Sequence, residues 1–219
     1  MSNKINILSF IKQFVVCQPR LGKNLPKAEK LITDTLAKHN FEYKKQVLPA
    51  VETANILVGN LVNPKAILLT HFDSIGPGAL DNASGVAVSM AVLVNNPGFI
   101  RNNLVVFSGC EEKSHEKPIF WGYGYRQFEK KYGRLLQFCK AIYVVDSIGN
   151  GKLHFFQGDY YFHQAVPLNN LKAVKHKLFV LTGSVKKLLA IYHTSDDTTE
   201  KLSKKYLEAS YRKLAEVCR

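Results

Sequence analysis

Apolar residues recur at three-to-four spacing twice near the start of the chain: Ile7, Phe10, Ile11 and Phe14 within residues 5–16, and Ile32 and Leu36 within residues 26–40. That period predicts two amphipathic helices. The pattern then changes. Short runs of β-branched and aliphatic residues at 55–61, 66–70, 103–108 and 141–145, with a weaker one at 178–182, predict buried strands. Between and after them lie longer helical candidates at 83–95, 119–138 and 199–218, the last with its charges on one face. Strand alternating with helix predicts a three-layer α/β/α fold around a mixed, mainly parallel central sheet. No repeat, low-complexity tract or linker interrupts the alternation, so residues 1–219 are expected to form a single catalytic domain.

Ionisable residues fall at the ends of these strands. Ala66-Ile-Leu-Leu-Thr70 runs into His71-Phe72-Asp73, Asn103-Leu-Val-Val-Phe-Ser108 into Gly109-Cys110-Glu111-Glu112, and Ala141-Ile-Tyr-Val-Val145 into Asp146. In an open α/β sheet, ligands bind in the crevice at the carboxyl ends of the strands. Three strands therefore deliver a histidine and four acids to one edge. Bringing so many carboxylates together costs several kcal/mol in repulsion and desolvation unless cations neutralise them. Imidazole with carboxylate is a donor set suited to zinc and related divalent ions. Gly78-Ala-Leu-Asp81-Asn82-Ala-Ser-Gly85 adds an acid ahead of an apolar helix, where the helix dipole favours an anion. Tyr192-His193-Thr194-Ser-Asp196-Asp197-Thr198 adds a second histidine before the last helix.

Each residue alone has an ordinary explanation, since Asp73 and Asp81 can cap a turn and a helix, and Glu111-Glu112 can be a solvated pair. Their order along the chain outweighs those explanations. His-x-Asp, Asp-Asn-x-Ser-Gly, Glu-Glu, a strand-terminal Asp and Tyr-His-Thr with Asp-Thr following resemble the co-catalytic di-zinc aminopeptidases of the bacterial leucyl aminopeptidase and aminopeptidase Y type, within the zinc exopeptidases of phosphorylase/hydrolase-like fold. The resemblance spans residues 66 to 198 and reaches every metal-ligand position of that family.

What it implies is a metal-dependent aminopeptidase acting on peptides or small aminoacyl substrates, with two Zn2+ or another divalent metal. Asp81 would bridge the two ions, one completed by His71 and Asp146, the other by Glu112 and His193. Glu111 matches the general base acting on a metal-bridging water, and Asp73 the carboxylate that orients His71. The residue types suit this chemistry, because a metal pair roughly 3.5 to 4 Å apart acidifies water and polarises a carbonyl, and a carboxylate beside it can move the proton. The other histidines, His39, His115, His154, His163 and His176, have no partners at ligand spacing, and Cys110 reads as packing. The aromatic run 155–162 is expected to pack rather than to form a specificity pocket. Lys113-Ser-His-Glu-Lys-Pro118 replaces the Gly-Leu-x-Gly-Ser that usually follows the family's Glu pair, so the pocket wall is expected to differ.

Composition narrows the class further. Hydrophobic residues make up 46% and charged residues 21%, with 13 Phe and 10 Tyr, which excludes disorder, collagen and coiled coil. No run reaches the 18 or so apolar residues of a membrane span, and residues 1–16 read as the first helix and not as a signal peptide. Cys17, Cys110, Cys139 and Cys218 are scattered without CxxC pairing, which fits a reducing cytoplasm. Thirty Lys+Arg against seventeen Asp+Glu give a net charge of +13. That excess first suggests a polyanionic partner, yet no nucleic-acid motif with interleaved aromatics accompanies it. Five of the seventeen acids are assigned to the site, so the remaining surface is more basic still, suited to acidic peptides or an anionic partner. Two other functions stay open on the sequence: a glutaminyl-cyclase-like enzyme with a single zinc, and a catalytically dead basic binding module.

Overall fold

Seven strands form one sheet in the order β1-β2-β4-β3-β5-β7-β6. A computed structural model describes residues 4–49, 51–113 and 119–218. The strands are β1 (Lys44–Val47), β2 (Ala54–Gly59), β3 (Ala66–His71), β4 (Asn103–Ser108), β5 (Ala141–Val145), β6 (His154–Phe156) and β7 (Leu178–Thr182). The four central strands, β4, β3, β5 and β7, run parallel, while β1, β2 and β6 pair antiparallel.

Side-chain alternation along the central strands fills two separate cores. Leu68, Val105, Phe107, Tyr143 and Val145 join one apolar cluster, and Ile67, Leu69, Leu104, Val106, Ile142 and Val144 join the other. Period-two alternation sends neighbours to opposite faces. The first face is covered by α1 (Ile7–Val15), α2 (Leu25–Lys38), α3 (Ser84–Asn95) and α7 (Lys204–Val217), the second by α4 (Tyr123–Phe138) and α5 (Asp159–Ala165). A short α6 (Val185–Leu189) follows β7. The result is the expected three-layer α/β/α arrangement.

Helix α1 buries Ile7, Phe10, Ile11 and Phe14, the residues that define its period, and Asn6 caps it by accepting the Ser9 N–H at 3.0 Å. Helix α3 has no polar face, and Ser84 to Val94 are all buried between the sheet and α1 and α7. Boundaries moved in two places. Helix α4 begins at Tyr123, after the left-handed Gly122, and the C-terminal segment has a 3-10 turn at Thr199–Lys201 before α7. Two strands lie outside the runs that the sequence marks as strands. β1 is an edge strand whose Lys-Lys-Gln-Val is mostly exposed, and β6 takes only the first two residues of the aromatic run, after His154. Among the described residues, no helix is long and apolar enough to cross a membrane.

The chain runs from β3 through α3 to β4 on one side, then through α4 to β5 on the other side of β3. The carboxyl ends of β3, β4 and β5 thus flank a reversal of strand order, where an α/β sheet opens a crevice.

Candidate metal centre

His71 is the last residue of β3 and is 1% exposed. Its Nε2 lies 3.2 Å from Asp81 Oδ1 and 3.7 Å from Asp146 Oδ1, and its Nδ1 lies 3.4 Å from Asp73 Oδ1. His193, in the turn before the last helix, places Nε2 at 2.7 Å from Glu112 Oε2 and 3.7 Å from Asp81 Oδ2. The two oxygens of Asp81 therefore face different histidines. One triplet is His71, Asp81 and Asp146, and the other is Asp81, Glu112 and His193. His71, Asp81 and Glu112 also offer ligand atoms that all lie within 4.8 Å of one another.

Asp73 is fully buried and works on both sides of the site, since its Oδ2 accepts the Glu112 N–H at 2.8 Å while Oδ1 faces His71. Glu111 is 7% exposed and lines the same cavity as His71, Asp81, Glu112, Asp146 and His193. All seven residues singled out in the sequence are brought together. The segment 114–118, including His115, lies outside the described residues.

Charge in this cluster is frustrated. Burial raises Asp81, Glu111 and Glu112 above the usual carboxylate range, the two glutamates strongly, and neighbouring acids add to the shift in all three. Burial works against a charged His71, but Asp146, Asp73 and Asp81 outweigh it and hold the imidazole well above its ordinary value. His193 goes the other way, lowered chiefly by burial. Glu112 Oε1 and His193 Nε2 are buried and make no well-aligned hydrogen bond, although His193 Nε2 lies 2.7 Å from Glu112 Oε2. Polar atoms in that condition are costly, and divalent cations would satisfy both the lone pairs and the excess negative charge. The residues fit a metal pair.

Several supports of the site were not read from the sequence. The Asn82 side chain ties the ends of β3 and β5 to the start of α3: its Nδ2 donates to Thr70 Oγ1 (3.1 Å) and to the Val145 carbonyl (3.0 Å), and its Oδ1 accepts the N–H of Gly85 (3.0 Å) and of Ser147 (3.3 Å). A Cβ on Gly85 would sit 2.3 Å from Asn82 Oδ1, so glycine is required there. Arg20 is fully buried and donates from Nε to the Phe72 carbonyl (2.7 Å), and from its terminal nitrogens to the carbonyls of Pro77 and Gly78 (both 2.8 Å). It thus holds the loop between His71 and Asp81. Burial lowers Arg20 to about 10, against the pull of Asp73, Asp81, Asp197 and Glu112, so it stays charged at neutral pH.

The cavity at the site has a volume of about 330 Å³. Its acidic floor gives way to an apolar wall that includes Trp121, Tyr160, Tyr161, Val180, Leu188 and Tyr192. The aromatic run is divided: Tyr160 and Tyr161 line the cavity, contrary to the expectation of packing, while Phe155 packs edge-on to Tyr143 and Phe156 stacks on Tyr161. His163 stacks on Trp121 and accepts the indole N–H at its carbonyl, 3.0 Å away. Cys110 packs with Leu48 and Tyr123, as expected. A second cavity, of about 420 Å³, lies against α4 and contains none of the site residues.

Residues 56–178 match the model of peptidase family M28. Proteins with curated descriptions give no match. Among solved structures, a glutaminyl cyclase from Porphyromonas gingivalis is similar with a TM-score of 0.76 at 14% identity, over 100% of this chain and 97% of that one. A leucine aminopeptidase precursor from Bacteroides thetaiotaomicron has a TM-score of 0.75 at 14% identity, over 100% and 99%. A Zn-dependent exopeptidase from Parabacteroides distasonis has a TM-score of 0.73 at 14% identity, over 99% and 98%. These likenesses show a shared fold.

Proposed function

The chain belongs to peptidase family M28, and from that membership we propose that it is a metal-dependent aminopeptidase that removes N-terminal residues from peptides. Its cofactor would be two Zn2+ or a related divalent pair, one ion held by His71, Asp81 and Asp146 and the other by Asp81, Glu112 and His193. When bound, such ions supply Lewis-acid polarisation of the scissile carbonyl and acidify the attacking water.

The chain's own groups do the rest. Glu111 takes the water's proton as the oxygen adds to the carbonyl carbon, and delivers it to the leaving amine as the C–N bond breaks. Its burial and raised proton affinity suit that shuttle near neutral pH. Asp73 faces Nδ1 of His71 and fixes which nitrogen is left to bind metal. The surplus of buried carboxylate favours a substrate with a free α-ammonium, and the apolar wall of Trp121, Tyr161, Val180 and Leu188 accommodates a bulky apolar side chain.

The observation that carries this reading is the double-facing Asp81 carboxylate, which brings two ligand triplets to one residue. The test is to strip the protein with a chelator, restore zinc, and follow hydrolysis of a leucyl anilide. Activity lost and regained supports it, whereas activity indifferent to the metal overturns it. A second reading, a single-zinc glutaminyl cyclase, is favoured by fold similarity alone. It differs in product, since cyclisation of an N-terminal glutamine releases ammonia and no amino acid. The convergence of Asp81 and Asp146 on His71 supports the two-metal hydrolase over it.

A further inference from the structure

Asp197 is an acid that the proposed chemistry does not use, yet it is 1% exposed. Its carboxylate accepts the N–H of Leu80 at 2.6 Å and of Asp81 at 3.0 Å, and its carbonyl accepts the N–H of Ala79 at 3.0 Å. Three consecutive amides leading to the bridging acid thus converge on one residue. A carboxylate taking two backbone N–H bonds is a strong, directional anchor.

The other end of the link is equally fixed. Asp197 donates its own N–H to the Thr194 carbonyl (3.4 Å), the Thr194 hydroxyl donates to the Ile191 carbonyl (2.8 Å), and that hydroxyl accepts the Asp196 N–H (3.2 Å). His193 and Asp197 therefore belong to one hydrogen-bonded turn. On the far side of Asp81, Arg20 clamps the carbonyls of Pro77 and Gly78, and the Gly78 carbonyl also accepts the Ala83 N–H at 3.1 Å. The segment 78–81 is held between a buried cation and a buried anion.

We infer that Asp197 is a positioning residue that locks the backbone of Asp81 to the turn carrying His193, so that the two side chains meant to share one ion are set in register before it arrives. The inference rests on Asp81 and His193 being ligands, as proposed above. Without the lock, Asp81 and His193 sit on separate loops, with no other backbone hydrogen bond joining the two among the described residues, and each would have to be ordered by the metal itself. Groups that orient ligands in this way are typically worth about 10- to 100-fold in metal affinity.

The test uses Co2+ as a spectroscopic probe on the whole chain, with the variants Asp197→Asn and Asp197→Ala. Asparagine keeps the shape but replaces one acceptor oxygen with a donor. In folded variants, affinity for the ion is expected to fall about 10- to 100-fold for alanine and less for asparagine. The visible Co2+ bands should shift, and kcat should fall with little change in KM. Wild-type affinity and an unchanged Co2+ spectrum in both variants, whatever their melting temperatures, would overturn the inference. A wild-type protein that takes up no Co2+ would instead overturn the ligand reading and the lock with it. A measurement without variants completes the test: in metal-free wild type, the amides of Leu80 and Asp81 should exchange slowly with solvent, and rapid exchange would show that no lock exists before metal binds.

Discussion

The Asp81 carboxylate turns Oδ1 to His71 and Oδ2 to His193, at 3.2 Å and 3.7 Å. Among the described residues, no other acid of the cluster makes a close contact with both imidazoles, so Asp81 couples the two halves of the site. Asp81→Asn keeps the shape and removes one anionic oxygen. Zinc content should fall from about two ions per chain to one or fewer, and hydrolysis should drop by about a hundredfold or more. Elemental analysis beside leucyl anilide kinetics checks both.

Glu111 shares the cavity but appears in neither ligand triplet. Glu111→Gln removes the proton acceptor without removing a ligand. Turnover should fall by about 10²- to 10⁴-fold while zinc content stays at the wild-type level. Loss of zinc in this variant would make Glu111 a ligand.

Metal uptake should be coupled to pH with a definite sign. His71, raised above an ordinary value near 6.5, stabilises the metal-free fold fully below that pH and loses the contribution as pH rises through its raised folded value. Glu111 and Glu112 are also raised, so their growing charge opposes folding as pH climbs past their ordinary range. Both effects point the same way. The melting temperature of the metal-free protein should fall as pH rises above the ordinary histidine value of about 6.5, and zinc binding should release protons and tighten over the same rise. Calorimetry in buffers of different ionisation enthalpy measures the release, and zinc affinity independent of pH would contradict the expectation.

Leu188 stands on α6 in the apolar wall of the cavity. Leu188→Ala should reduce the preference for leucyl over alanyl substrates by about tenfold, since lost apolar contact in a pocket is worth roughly 1–3 kcal/mol. The ratio of kcat/KM for the two substrates reads it directly.

Arg20 should matter for folding more than its loop position suggests. Arg20→Met leaves the carbonyls of Phe72, Pro77 and Gly78 without their donor and removes a buried cation from beside four acids. The expected loss is about 3 kcal/mol or more in chemical denaturation. A smaller loss when zinc is bound would show that the ions take over part of the neutralisation.

The central strands and the gathering of the candidate site residues at one sheet edge were legible in the sequence because both follow local rules. An aliphatic run such as Ala66 to Thr70 must be buried on both faces, and a histidine or acid at its carboxyl end must sit in the crevice. What stayed hidden depends on tertiary contacts. Lys44 to Val47 form a strand only because the edge of the sheet accepts any extended segment, and the pattern of that strand is mostly polar. Tyr160 and Tyr161 reach the cavity because Gly158 turns the chain into α5, a short helix that the aromatic run conceals. Arg20 is a single basic residue in a loop, and nothing near it in sequence indicates the three carbonyls, 52 to 58 positions away, that hold it. Asp197 was visible within its motif, but its bonds to Leu80 and Asp81 span 117 and 116 positions.

The most direct test of the two-metal hydrolase is a zinc titration of the metal-stripped protein, with two peptides followed side by side, one beginning with leucine and one with glutamine. Release of free leucine that rises with added zinc and levels off at two equivalents per chain is the expected result. A plateau at one equivalent, with no free leucine and with ammonia released from the glutaminyl peptide, would contradict it.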